Sequence, residues 1–201
     1  VTPRRRTAIL ISGRGSNMAA LIEAARAPDF PAEIVLVLSN KGDAGGLAMA
    51  RSAGIATAAI DPKIYAGRDE FEGAMQAMLD IHRIELICLA GFMRVLGGLF
   101  AERWRGRLIN IHPSLLPAFR GLNTHERAIA AGAAEHGCTV HFVEPELDSG
   151  PIIAQARLSI LPGETPEDLA ARVLALEHIL YPRALAQVAS QLGAGRQAAA
   201  L

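Results

Sequence analysis

TAILISGRGSNMAALIEAARA, residues 7 to 27, runs from an aliphatic segment through Gly13 and Gly15 into a helical pattern over 17 to 27. The segment 7 to 12 has no charge and no proline, as a strand buried on both faces requires. Strand, glycine turn and helix in that order are the opening unit of an α/β sheet.

The same alternation continues outward. AEIVLVLS (32 to 39), IATAAI (55 to 60), LICLAG (86 to 91) and RLINIH (107 to 112) are short aliphatic runs that end in Gly, Ser, Asn or Asp or close beside them. Helical patterns at 44–53, 68–83 and 95–104 separate them, each long enough for a right-handed crossover between parallel strands. After residue 123 the order changes to a helix (124–132), a strand (138–143), a turn carrying Asp148, a strand (151–160) and a long helix from about Pro166 to Gln191. The PELDSGP turn is too short for a crossover helix, so its two strands pair antiparallel or leave a sharp loop between them. Thr165 before Pro166, with Asp168 three positions after Thr165, marks the start of the last helix. The fold class is therefore α/β: a Rossmann-like, mostly parallel sheet with helices on both faces and one late antiparallel strand. One domain over 1–201 is expected, with 1–6 and 193–201 as flexible tails.

A chain of 201 residues can bury roughly 70% of its unfolded surface in one core. Its 20 basic and 20 acidic residues cancel, so no global field favours nucleic acid or a membrane. Cys88 and Cys138 both lie in apolar strand-like runs and read as small buried thiols. No apolar stretch approaches the ~20 residues of a membrane span, and VTPRRRTAILIS lacks the features of a signal peptide, so the cytoplasm is the expected location.

In ISGRGSN (11–17), the backbone N–H groups of Gly15, Ser16 and Asn17 can converge on an anion at the positive end of the helix dipole, and phosphate is the natural ligand. A dinucleotide is disfavoured. Met18 replaces the third glycine of that fingerprint, and the second strand ends in Ser39-Asn40-Lys41 without a ribose-binding acid.

LINIHPSLLPAFRG (108–121) brings Asn110 and His112 to one face of a strand just before Pro113. An amide and an imidazole at the C-terminal edge of an α/β sheet suit a carbonyl reaction, with the amide donating to an oxyanion and the ring moving a proton. Asp148, in ELDSGP and followed by Ser149-Gly150-Pro151, reads by itself as a turn former. Metal-ligand spacing is absent among His82, His112, His125, His136, His141 and His178, and structural roles suffice for His136 and His141.

The blocks SGRGSN, NIHPSLLP and ELDSGPI, in this order, resemble the folate-dependent formyltransferase family, and GLNTHERAI points to its branch that formylates glycinamide ribonucleotide in purine synthesis. The resemblance covers about residues 8 to 188. It implies 10-formyltetrahydrofolate as co-substrate, no metal, small-molecule partners only, a monomer or homodimer, and Asn110, His112 and Asp148 as the catalytic trio. The ribonucleotide would meet Gly15, Ser16, Asn17 and Glu177. The pterin would lie against Phe92, Met93, Arg94, Val95 and Leu96 under a loop from Val143 to Leu147, with Arg68 near the benzoyl-glutamate tail and His125 in support. Asn123 departs from the family's usual G-L-H-T-H. The alternatives are a formyltetrahydrofolate hydrolase, another formyltransferase of the family, or a non-catalytic nucleotide-binding module.

Overall fold

A computed structural model describes residues 3 to 198. Seven strands form a single sheet: β1 (Arg5–Ile11), β2 (Ala32–Ser39), β3 (Ala56–Ala59), β4 (Leu86–Leu89), β5 (Leu108–His112), β6 (Glu135–Phe142) and β7 (Ile152–Ser159). The helices are α1 (Ser16–Ala24), α2 (Gly45–Ser52), α3 (Arg68–Ile81), α4 (Gly98–Arg103), α5 (Thr124–Ala130) and α6 (Pro166–Ala198). The sheet order is β3-β2-β1-β4-β5-β6-β7, with parallel pairing from β3 to β5. Because β6 is antiparallel to both β5 and β7, it alone runs against the other strands, and the short turn at 143–151 joins an antiparallel pair. The order of connection reverses between β1 and β4, which opens a crevice at the C-terminal strand ends.

Alternation along β1 divides the core. Ile9 and Ile11 pack with α1 and α6 through Met18, Leu21, Val173 and Tyr181. Ala8 and Leu10 face α3 and α4 through Phe71, Met75, Phe100 and Trp104. Tyr181, fully buried, shares its hydroxyl proton between the carbonyls of Leu89 (2.9 Å) and Ile109 (3.2 Å), tying α6 to the ends of β4 and β5. Burial raises the Cys88 thiol to about 12, and burial with nearby Glu177 does the same for Cys138. Neither thiol is a nucleophile in that state.

Four features differ from the sequence reading. β1 takes in Arg5 and Arg6, assigned above to a solvated tail; Arg4 hydrogen-bonds the Ala25 and Ala32 carbonyls, and Arg5 pairs with Glu85 at 3.0 Å. Polar anchoring on strand-end groups thus orders a basic run. Val1 and Thr2 lie outside the described residues. β3 is an edge strand with no fully buried residue, because only β2 flanks it. α4 begins at Gly98 and leaves Val95 and Leu96 in a loop, because Gly97 is extended (φ −69°, ψ 156°) and interrupts the helix; its N–H donates to Glu72 Oε1 at 2.6 Å. α6 continues to Ala198, past the boundary at 193, where alanine's helix preference outweighs the glycines; residues 199 to 201 lie outside the described residues. At its other end the Thr165 hydroxyl accepts from Asp168 N–H (3.2 Å) and donates to the Asp168 carboxylate (2.8 Å), as the start signal requires.

Candidate active site

β5 ends at the C-terminal edge of the parallel sheet, and its period of two puts Asn110 and His112 on one face. The antiparallel register sets Asn110 opposite His141 and His112 opposite Thr139, so His141 shares that face. His141 Nδ1 lies 2.8 Å from the Phe142 carbonyl, which can only accept, so this nitrogen carries the proton. Its Nε2 then accepts from the Asn110 amide at 3.2 Å and fixes which end of that amide is nitrogen. Burial holds the His141 ring below its usual pKa, against the opposing pull of the Phe142 carbonyl and the Asp148 carboxylate.

His112 faces an acceptor at each of its ring nitrogens. Its Nε2 donates to the Phe119 carbonyl at 3.0 Å, which turns Nδ1 toward Asp148 Oδ2 at 3.4 Å. Asp148 Oδ2 also accepts the Gly121 N–H at 2.9 Å, and Oδ1 stands 3.7 Å from His141 Nε2. One carboxylate therefore faces two buried imidazoles. Two irregular loops bring it there, and their backbones carry left-handed residues: Phe119 (φ 53°), Gly121 (φ 79°), Asn123 (φ 56°) and Asp148 (φ 49°). Non-glycine residues in that region cost energy and gather at functional sites. A proton arriving at His112 Nδ1 is met by the Asp148 carboxylate, so the pair can take up and return a proton while Asn110 keeps an amide hydrogen for an oxyanion.

These groups line the floor of a cavity of about 650 Å³. Phe92, Met93, Arg94, Val95 and Leu96 form one wall, Val143 and Leu147 another, and Asn123 and His125 border the floor. Met93 and Val95 are 66% and 58% exposed, an open apolar wall of the kind that receives a flat ligand. At the floor's border, His125 Nδ1 and His136 Nε2 stand 3.2 Å apart; burial lowers both rings, and burial with the neighbouring His125 takes His136 to about 4.

The sequence profile of the family described as formyl transferase matches residues 5–185. The chain belongs to the formyl transferase family. It is 44% identical over 174 residues to the phosphoribosylglycinamide formyltransferase of Escherichia coli (strain K12), covering 87% of this chain and 82% of that protein. It is 47% identical over 193 residues to the trifunctional purine biosynthetic protein adenosine-3 of Homo sapiens, covering 94% of this chain and spanning only 19% of that longer protein. The crystal structure of phosphoribosylglycinamide formyltransferase from Brucella melitensis matches with a TM-score of 0.89 at 56% identity, covering 92% of this chain and 96% of that one.

In this formyl transferase the sequence-predicted residues fall into separate groups. Asn110, His112, His125 and Asp148 share the cavity with all the proposed wall residues except Arg68. Arg68 opens α3, and its side chain approaches Gly97, one residue beyond Leu96. Gly15, Ser16, Asn17 and Glu177 form a second group at the end of β1. Gly15 (φ 79°) caps α1, and the Asn17 amide donates to buried Glu177 at 2.6 Å. Burial raises the Glu177 carboxyl despite that bond. His141, read above as structural, belongs to the floor; only the β5–β6 register, which sets it opposite Asn110, could have revealed it. Asn123 begins α5 in the left-handed region, a conformation that asparagine tolerates better than most residues. Among the described residues, no group of three or more His, Cys, Asp or Glu could hold a metal ion. No helix among them is long and apolar enough to cross a membrane.

Proposed function

We propose that this chain transfers the formyl group of 10-formyltetrahydrofolate to the amino group of glycinamide ribonucleotide, a reaction of purine synthesis. The observation that carries this reading is the floor formed by Asn110, His112, His141 and Asp148 beneath an apolar wall, in a formyl transferase 44% identical to a phosphoribosylglycinamide formyltransferase.

The folate supplies a carbonyl carbon already attached to a nitrogen that can leave. Asn110, its amide aimed by His141, donates its remaining N–H to the oxygen that becomes negative as the amine attacks. His112, with Nε2 held by Phe119, takes the proton leaving the attacking nitrogen at Nδ1, directly or through water, and returns it to the departing nitrogen. Asp148 stabilises the ring while it carries that proton. No serine or cysteine nucleophile is required. Backbone N–H groups of Gly15, Ser16 and Asn17 bind the phosphate, and Glu177 contacts the same substrate. Phe92, Met93, Arg94, Val95 and Leu96, with Val143 and Leu147 opposite, hold the pterin; Arg68 meets the anionic tail, and His125 supports the reacting centre.

Incubation with both substrates tests the reading. Formylated ribonucleotide is the expected product, and its absence overturns the assignment. Formate released without dependence on the amine would identify a hydrolase.

A further inference from the structure

Asn40 stands near the place where a dinucleotide-binding sheet carries its ribose-binding acid, and its side chain serves a different purpose. The Ser12 hydroxyl donates to Asn40 Oδ1 at 2.5 Å and accepts from the Met93 N–H at 2.8 Å. The Ser12 N–H in turn donates to the Gly91 carbonyl at 3.1 Å. Both side chains belong to buried residues, 5% and 7% exposed, at the crevice where the sheet order reverses between β1 and β4.

The direction of this chain of bonds is fixed. A backbone N–H can only donate, so the hydroxyl must accept from Met93, and its single proton must go to an acceptor elsewhere. Asn40 Oδ1 is that acceptor. Asn40 therefore orients Ser12, and Ser12 orients Met93. The segment 91–97, between β4 and α4, has no regular secondary structure. Ser12 anchors it at Met93 and Glu72 anchors it at Gly97. Gly91 makes the turn into it at φ 75°, and Phe92 and Met93 then line the cavity.

We propose that Ser12, oriented by Asn40, is a positioning residue for the formyl donor, holding the Gly91–Met93 turn in the shape that receives the folate ring. The inference rests on the proposed function, which places the donor against this wall. Ser12 touches neither reacting atom. Its removal acts on the affinity of one substrate and spares the ribonucleotide bound at the neighbouring glycine loop.

Steady-state kinetics with each substrate varied at saturating levels of the other tests this. Ser12→Ala is expected to raise KM for 10-formyltetrahydrofolate about tenfold, the scale of one lost buried hydrogen bond, with KM for the ribonucleotide within about twofold of wild type. Asn40→Ala, which leaves the hydroxyl but removes its acceptor, should raise the donor KM about threefold, while Asn40→Asp, which keeps an acceptor oxygen, should restore it. An unchanged donor KM in Ser12→Ala, or an equal rise in both KM values, overturns the proposal. If Ser12→Ala does not fold, the Asn40 pair decides: equal donor KM values for Asn40→Ala and Asn40→Asp overturn it. Failure of the functional reading is seen separately, as a wild-type protein that forms no formylated ribonucleotide.

Discussion

The glycine loop after β1 and the floor formed by Asn110, His112, His141 and Asp148 lie at the same edge of the sheet, yet they are built by different means. The loop offers main-chain N–H groups at a helix start, so its local shape depends on Gly15 and a short run of neighbours. The floor joins side chains from β5, β6 and the turn after β6, and backbone carbonyls of Phe119 and Phe142 set the tautomers of two of them. A site built from main chain is specified locally and resists side-chain change. A site built from side chains needs distant segments in register and fails when one partner is lost.

The largest effects should therefore fall on the floor. His112→Asn and Asp148→Asn are each expected to lower kcat by a factor on the order of 10² or more with substrate affinity largely retained, since the proposed function makes them one proton-handling pair. The double variant should lose much less than the product of the single losses. Full multiplication of the two losses in kcat would separate them and return Asp148 to a turn-forming role.

The loop should respond in binding. Ser16→Glu puts a carboxylate where the helix start attracts an anion and is expected to weaken the ribonucleotide by roughly 30-fold, leaving folate affinity nearly unchanged. Isothermal titration showing normal ribonucleotide affinity would end the phosphate assignment and, with it, the contrast between the two regions. His141 sharpens the contrast from the other side. Replacing it by Phe removes the acceptor that aims the Asn110 amide, and kcat should fall about tenfold; Gln, which retains an acceptor, should recover part of the loss. Equal rates for the Phe and Gln variants would mean that Asn110 is aimed by something else.

This difference in construction also explains what could be read from the chain. β1, β2, β4 and β5 were legible as aliphatic runs because parallel strands covered on both faces leave a continuous apolar signature, whereas the run that forms β3 carried the same signature at an uncovered edge. Asn110 and His112 were legible as a pair because two residues apart on one strand means one face. His141 was not. Period two fixes that His141 and Thr139 share a face, but which face it is depends on pairing with a strand 31 positions away, where Asn110 meets His141. Asp148 suited a turn former as well as a catalytic group, and its left-handed backbone satisfies both descriptions. Arg5 and Arg6 resembled a solvated tail because a basic run lacks the apolar signature of a strand, although Glu85 and neighbouring carbonyls hold this one in place.

The smallest effect concerns the histidine pair behind the floor, and it appears in stability before it appears in rate. His136 is 1% exposed, and burial, reinforced by His125, lowers its pKa to about 4 from an ordinary 6.5. Between these values the unfolded chain binds the proton and the folded chain does not, so stability falls as pH falls through 6.5 and this contribution levels off below about 4. From pH 7 to 5.5 the loss from this group should be about 1 kcal/mol. His125 and His141 are also held below their usual values and push in the same direction, so the wild-type slope alone cannot isolate His136. His136→Phe keeps an aromatic ring against Phe119 and His125 but removes the titration. Urea midpoints at the two pH values should therefore lie closer together in the variant than in the wild type. An unchanged separation would mean that His136 accepts its proton in the fold as readily as in the open chain, and that the pair is not an acid-sensitive element of the fold.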